Sequence, residues 1–340
     1  MFAAPIVTSV AATPIAQAIA LAIVLAMAAP AARGASAAAP APEAPVAATP
    51  VAAAPVAAAV REYRADMHES RWLGESSPLR CELQHPIPRF GTARFFRAAG
   101  KDLQFELAAI WASQRRAPAL LDSVAPAWKH PHEQRLLTRL EDSGDKLPFR
   151  LQRAAALRLL YELERGMQPT FIYPDAADGE EQLKVGLSPV NFRDALGDFR
   201  HCLEALAPFG FESIRDTRVH FETDSAELDS YSRRALERIA EYQPLDERVQ
   251  RIIVHGHTDW VDSEPYNLDL SEFRAWAVVD FLVDQGVPEA LVEAQFHGET
   301  SPREDNRSAS GRAFNRRVTV EVVRAPERET SAESETAAAD

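Results

Sequence analysis

Hydrophobic spacing along the chain marks two stretches of regular structure, residues 61–215 and 216–324. In the second, Val219 and Phe221 open a strand, and Leu228 to Tyr242 carries Ala235, Leu236 and Ile239 at helical spacing. Ile252 to His257 predicts a second strand. Tyr266 to Gln285 predicts a second helix closed by Gly286, with Leu270, Phe273, Ala277 and Phe281 as its buried stripe and Arg274 beside that stripe, at the rim. Val292 to Phe296 predicts a third strand. Val318, Val320 and Val322, alternating with Thr319 and Glu321, predict a fourth. Strands and helices in this order give a βαβαββ sandwich of two layers, of α+β class.

The first stretch is β-rich. Leu103, Phe105, Leu107, Ala109 and Trp111 alternate with more polar neighbours, the period-two mark of a half-buried strand. Gly100-Lys101-Asp102 is a turn, and Ala93 to Ala98 is the expected hairpin partner. Pro86, Pro88, Pro118, Pro126 and Pro131 favour short strands and loops over long helices. Two helices are still expected. One runs from Leu151 to Arg165 and ends at Gly166; the other places Phe192, Ala195, Leu196, Phe199, Leu203 and Leu206 on one face.

The ends read differently. Among the first sixty residues only Arg33 and Glu43 are charged, and the uninterrupted apolar run Ala18 to Ala29 is too short for a ~20-residue membrane span but suits a signal-peptide core. With Ala35-Ser36-Ala37 as a small-x-small cleavage site, residues 1–37 are expected to be a signal peptide, although no Lys or Arg precedes the run. No cysteine follows at its end, which predicts no lipid anchor. Residues 38–60, rich in Ala and Pro, read as an extended linker, and residues 325–340 as an acidic disordered tail. Scanning the 340 residues shows no repeats, and a formal net charge of −13 disfavours nucleic acid and anionic membrane surfaces as partners.

Candidate chemistry is sparse. Asp259 at the end of the second strand and Arg274 on the following helix form the expected poles of a small site for a zwitterion, the guanidinium gripping a carboxylate and the acid an ammonium. A structural salt bridge is the alternative. His255, His257 and Asp259 alternate on one strand and could pass for metal ligands, but a further ligand is wanting, so no metal or cofactor is expected. Ser188, Ser271 and Ser301 lack a local sign of activation, and no phosphate-cradling glycine loop occurs, so no catalytic residue is assigned and an enzyme is not expected. In an exported chain Cys81 and Cys202, the only cysteines, are expected to form one disulfide closing a loop of about 120 residues; two buried thiols are the alternative.

Residues 216 to 324 resemble the OmpA-like family. Gly256-His257-Thr258-Asp259, then Asn267, Leu270, Ser271, Arg274 and Ala275, fall on its peptidoglycan-binding motif, with Ser225 to Leu228, Gly298, Glu299, Pro302 and Asn315 to Val318 in support. One departure is Asp262, where the family usually has glycine. The resemblance implies that Asp259 and Arg274 hold the diaminopimelate of an uncrosslinked stem peptide, with Thr258, Asn267 and Arg316 contributing; either Arg316 or Arg317 lines the groove while the other solvates the strand end. Leu79 to Gly100, Ala125 to Arg135, Tyr161 to Tyr173 and Val185 to Leu206 resemble, in order, the N-terminal domain of the MotY family of flagellar-motor proteins, whose cysteines Cys81 and Cys202 match. His85, Pro86 and Trp128 there could face a partner. The implied setting is periplasmic: a T-ring component that docks on the flagellar basal body and a MotX-like partner, holds peptidoglycan, and helps recruit stator complexes. A general outer-envelope tether to the wall is the alternative.

Overall fold

A computed structural model describes residues 59–111, 117–130, 133–175 and 181–326. The expected signal peptide, nearly all of the linker and most of the acidic tail lie outside the described residues.

The first half contains β1 (Val60–Tyr63), β2 (Leu73–Ser77), β3 (Arg80–Ile87), β4 (Gly91–Ala98), β5 (Gln104–Ala109), β6 (Pro118–Val124), β7 (Gln134–Glu141), β8 (Phe149–Leu151), α1 (Arg153–Glu164), β9 (Gln168–Pro174), β10 (Gln182–Gly186) and α2 (Phe192–Ala205). The strands make two five-stranded sheets, ordered β1-β10-β9-β6-β7 and β2-β3-β4-β5-β8. The anticipated hairpin is β4 with β5, pairing Phe95 with Phe105. Leu103, Phe105 and Leu107 are buried, whereas Ala109 and Trp111 at the strand's far end are not. Inward-facing rings join the sheets: Phe171 of β9 stacks on Phe105 at 5.7 Å and on Phe149 at 5.0 Å. Burying these rings supplies the main driving force for closing the two sheets on one core.

Both predicted helices form. Gly166 follows α1 with φ +73°, the left-handed stop that glycine adopts without a Cβ penalty. Cys81 on β3 is bonded to Cys202 on α2, with Cα atoms 5.9 Å apart, so the free-thiol alternative does not hold. His85 is a core residue: its ring stacks on Trp72 at 4.5 Å, Nδ1 meets the Arg71 carbonyl, and Nε2 accepts from the Ser188 amide. Burial pushes its pKa down to about 4. It therefore presents no ring to a partner, while Trp128 is exposed.

The second half runs β11 (Asp216–His220), α3 (Ser230–Tyr242), β12 (Val249–Gly256), α4 (Glu264–Asp284), β13 (Val292–Phe296), α5 (Ala309–Asn315) and β14 (Arg317–Arg324). The sheet order is β11-β14-β12-β13, with β12 and β13 parallel and the other pairs antiparallel. Helices α3 and α4 cover the sheet, and Leu236, Ile239, Val278 and Leu282 meet Val219, Ile252, Val254, Val318 and Val320 in a second core. The short helix α5 adds one element to the expected βαβαββ order.

The buried face of α4 differs from the predicted stripe. Phe273 is 64% exposed, while Asn267, Ser271, Arg274, Ala275, Val278 and Leu282 face inward. Arg274 is accordingly in the interior, not at a rim.

Candidate functional site

The site is built where β12 runs out against α4. A Cβ on Gly256 would lie 2.1 Å from the Ser271 carbonyl oxygen, so only glycine lets the strand end sit directly on the helix. Ser271 returns the support, its hydroxyl donating to the Leu268 carbonyl and accepting from the Gly298 amide. The Gly298 carbonyl in turn accepts the Thr258 amide at 2.8 Å. Strand, helix and the 298 turn thus fix His257, Thr258 and Asp259 over the first turns of α4.

Arg274 is fully buried. Its Nε donates to the Ser225 carbonyl at 2.8 Å, Nη1 to that of His257 at 3.2 Å and Nη2 to that of Glu222 at 3.0 Å, and the guanidinium lies 5.3 Å from the centre of the Phe221 ring. Three of its five N–H groups are thereby spent, and one remains on each terminal nitrogen. Burial pushes its pKa down to about 10, opposed by Asp259, so the group stays charged near neutrality.

Asp259, also buried, accepts from Arg316 Nη1 at 3.0 Å through one oxygen and from the Val261 amide through the other. Arg316 is held in place by its Nε bond to the Phe221 carbonyl. Arg317, expected to solvate the strand end if Arg316 lined the groove, is instead buried, with its guanidinium on the Ser301 and Asn315 carbonyls. Asn315 does not reach the carboxylate; its amide ties Arg303, Glu304 and Asn306 into the loop before α5.

Thr258 Oγ1 is buried with no hydrogen-bond partner among the described residues. Asn267 donates to the Asp262 carbonyl and to Glu299, bracing the turn on both sides. Asp262 is not among the residues with positive φ, so the turn does not need a glycine at that position. The left-handed position lies instead at Asp224, whose carboxylate accepts from the Tyr266 hydroxyl.

The structure therefore brings Asp259, Arg274, Thr258 and Arg316 together, with Asn267 as a brace. Sequence reasoning missed the loop from Phe221 to Ser225, which contributes through backbone carbonyls and so carries no side-chain signal. The histidines form a row of rings, His297 stacking on His257 at 4.8 Å and bonding His255 at 3.1 Å. Burial and the nearby Arg317 push the His257 pKa down to about 3. Among the described residues no group of three or more His, Cys, Asp or Glu is arranged to hold a metal ion. Nor is any described helix long and apolar enough to cross a membrane.

Comparison with known proteins bears on both halves. A family model described as the MotY N-terminal domain matches residues 63–208, and one described as the OmpA family matches residues 220–316. The sodium-type flagellar protein MotY of Vibrio parahaemolyticus is 31% identical over 267 residues, covering 78% of this chain and 91% of that protein. The peptidoglycan-associated lipoprotein of Pseudomonas aeruginosa is 38% identical over 102 residues, covering 30% of this chain and 60% of its own length. Among solved structures, the C-terminal domain of Helicobacter pylori MotB is 29% identical and covers 33% of this chain and 85% of its own, with a TM-score of 0.29.

Proposed function

Since the chain belongs to the MotY family of flagellar proteins, we propose that it is a structural component of the motor's T ring in the periplasm, anchored to peptidoglycan through its second half. It helps recruit and retain stator complexes around the basal body, and its first half meets the basal body and a MotX-like partner. It turns over no substrate.

The observation that carries the wall-binding reading is the charge arrangement at the end of β12. Arg274 keeps two unspent N–H groups beside the Asp259 carboxylate. A guanidinium and a carboxylate in one site complement the free amino-acid end of diaminopimelate, which offers a carboxylate to one and an ammonium to the other. The orphaned Thr258 hydroxyl offers a further polar contact.

The test is co-sedimentation of the purified chain with cell-wall sacculi, with free diaminopimelate as competitor. The chain is expected to pellet with the wall and to be released by the competitor. Sedimentation that diaminopimelate leaves unchanged would refute the site assignment, and release of muropeptides would refute the non-enzymatic reading.

A further inference from the structure

The sheet of the second half ends in a strand whose outer edge is unpaired. In the order β11-β14-β12-β13, β13 pairs in parallel with β12 on one side and, among the described residues, with no strand on the other. The register aligns Gly256 with Phe296, and the His297 amide donates to the Gly256 carbonyl at 3.0 Å. Bonded residues alternate along a parallel ladder, so Glu293 and Gln295 turn their backbone groups inward to β12, while Val292, Ala294 and Phe296 turn theirs outward. Proteins usually blunt such an edge with lysine, proline or a bulge. The opposite edge strand, β11, carries Asp216 and Arg218. Strand β13 has no lysine, proline or break in register, and its one charge, Glu293, is paired with Arg251 at 3.6 Å.

Beside this edge the helix layer leaves apolar surface open. Val292, Ala294 and Phe296 are half-buried against the core, and Glu293 and Gln295 on the other face are exposed. Trp276 of α4 is 44% exposed, with its ring 6.3 Å from that of Phe296. Together with Val279, Ala290, Val292 and Ala294 it lines a groove of about 440 Å³, in which Glu289 is the one charged residue. Phe273, nearly one turn earlier on α4, is exposed as well.

The edge is complementary to itself. Antiparallel pairing of two copies about a two-fold axis at Ala294 sets Ala294 opposite Ala294, Val292 opposite Phe296 and Glu293 opposite Gln295. Every outward backbone group then meets one of the other copy, and each facing pair exchanges both of its hydrogen bonds. The same pairing lays the Phe296 ring of each copy beside the other's Val292, where the groove lies. We infer that β13 is the contact between two copies of this chain, joining two four-stranded sheets edge to edge into one. The contact is isologous, so it closes on itself as a dimer and builds no fibre. Its five residues make a small interface beside the ~1,200–2,000 Å² of stable complexes, so the dimer is weak and reversible. Antiparallel pairing also turns the two β12 strands in opposite directions, which places the two Asp259 ends at opposite ends of the joined sheet. One dimer then holds two stem peptides, a consequence that, unlike the dimer itself, rests on the wall-binding reading.

Gln295 makes the register testable, because it is exposed, lies outside the wall site and faces Glu293 of the other copy. Sedimentation of the full chain from micromolar to millimolar concentration is expected to show a reversible monomer–dimer equilibrium, measured at moderate salt, where the net charge of −13 is screened within about 8 Å. Gln295→Lys sets a lysine against each Glu293 and is expected to lower the dissociation constant several-fold. Gln295→Glu opposes like charges at both places and is expected to raise it several-fold. Thermal midpoints of dilute samples should match the parent in both variants. A chain that stays monomeric at every concentration would overturn the inference, as would assemblies that grow beyond the dimer. So would a dimer that both variants leave unchanged, because it would use another face. None of these readings depends on wall binding.

Discussion

A buried arginine is stable only if its donors are met, and Arg274 meets three of them with backbone carbonyls from two segments, the 221–225 loop and the end of β12. It stitches the 221–225 loop to the end of β12, and under the proposal it also grips a carboxylate with its remaining two N–H groups. Replacing it outright confounds the two roles. Asp259→Asn is the cleaner change, because it preserves shape while removing the charge and one of the two acceptor oxygens. We expect wall co-sedimentation of Asp259→Asn to fall at least tenfold, with the thermal midpoint within a few degrees of the parent; undiminished retention would remove Asp259 from the site. Periodicity placed Asp259 at a strand end and Arg274 on the following helix, and the motif resemblance singled them out as a pair. Their depth was not readable, because hydropathy scores Arg274 as a surface residue and takes no account of carbonyls that satisfy it. Two histidines give a second residue-scale expectation. His85 and His257 are held neutral by burial, with pKa values pushed down to about 4 and about 3 from 6.5. Their contribution to stability is complete above pH 6.5 and is lost as pH falls toward those values, because the unfolded rings bind protons first, at up to about 1.4 kcal/mol per pH unit each. A thermal-melting series from pH 7 to 4 should show this fall, and His257→Gln should make it shallower. An identical slope would exclude His257 as a source.

At the scale of elements, the contact between β12 and α4 sets the geometry of everything else in the site. Gly256→Ala should destabilise the second half by about 1–3 kcal/mol, because the new methyl meets the backbone oxygen of Ser271, which cannot turn aside as a side chain could. Chemical denaturation measures this, and an unchanged midpoint would show that the strand end can move off the helix. Periodicity located α1 to α4 and all of the second sheet, since each presents an apolar face to a core. It misplaced the inner face of α4, where Asn267, Ser271 and Arg274 are buried by their hydrogen bonds and Phe273 is left outside. It also passed over α5, which is too short to show a stripe. In the first half the prolines favoured short strands over long helices, and strands of three to eight residues form there; Pro86 lies within β3, opposite Thr92, and Pro118 opens β6. Strand β9 is buried along nearly its whole length, so no alternation announced it.

At the scale of the molecule, two sheets, with α2 tied to β3 by the Cys81–Cys202 bond, are joined to an α+β layer carrying the proposed wall site. The bond ties β3 to α2 across 121 residues of sequence, and its removal should weaken the first half. Cys81→Ser with Cys202→Ser is expected to cost about 2–4 kcal/mol of stability, read from denaturant midpoints. The second half should unfold as before, and a loss confined to it would misassign the bond's role. What the chain does at this scale rests on a single claim, that it serves the motor while holding the wall. The most direct measurement deletes the coding region in the source bacterium and scores filament number and rotation in the same cells, with the parent chain or Asp259→Asn returned. The account predicts filaments that are present but do not turn, rotation restored by the parent chain, and poor restoration by the variant. Normal swimming in the deleted strain, with a leaking or blebbing envelope, would contradict it and assign the chain to general tethering of the envelope.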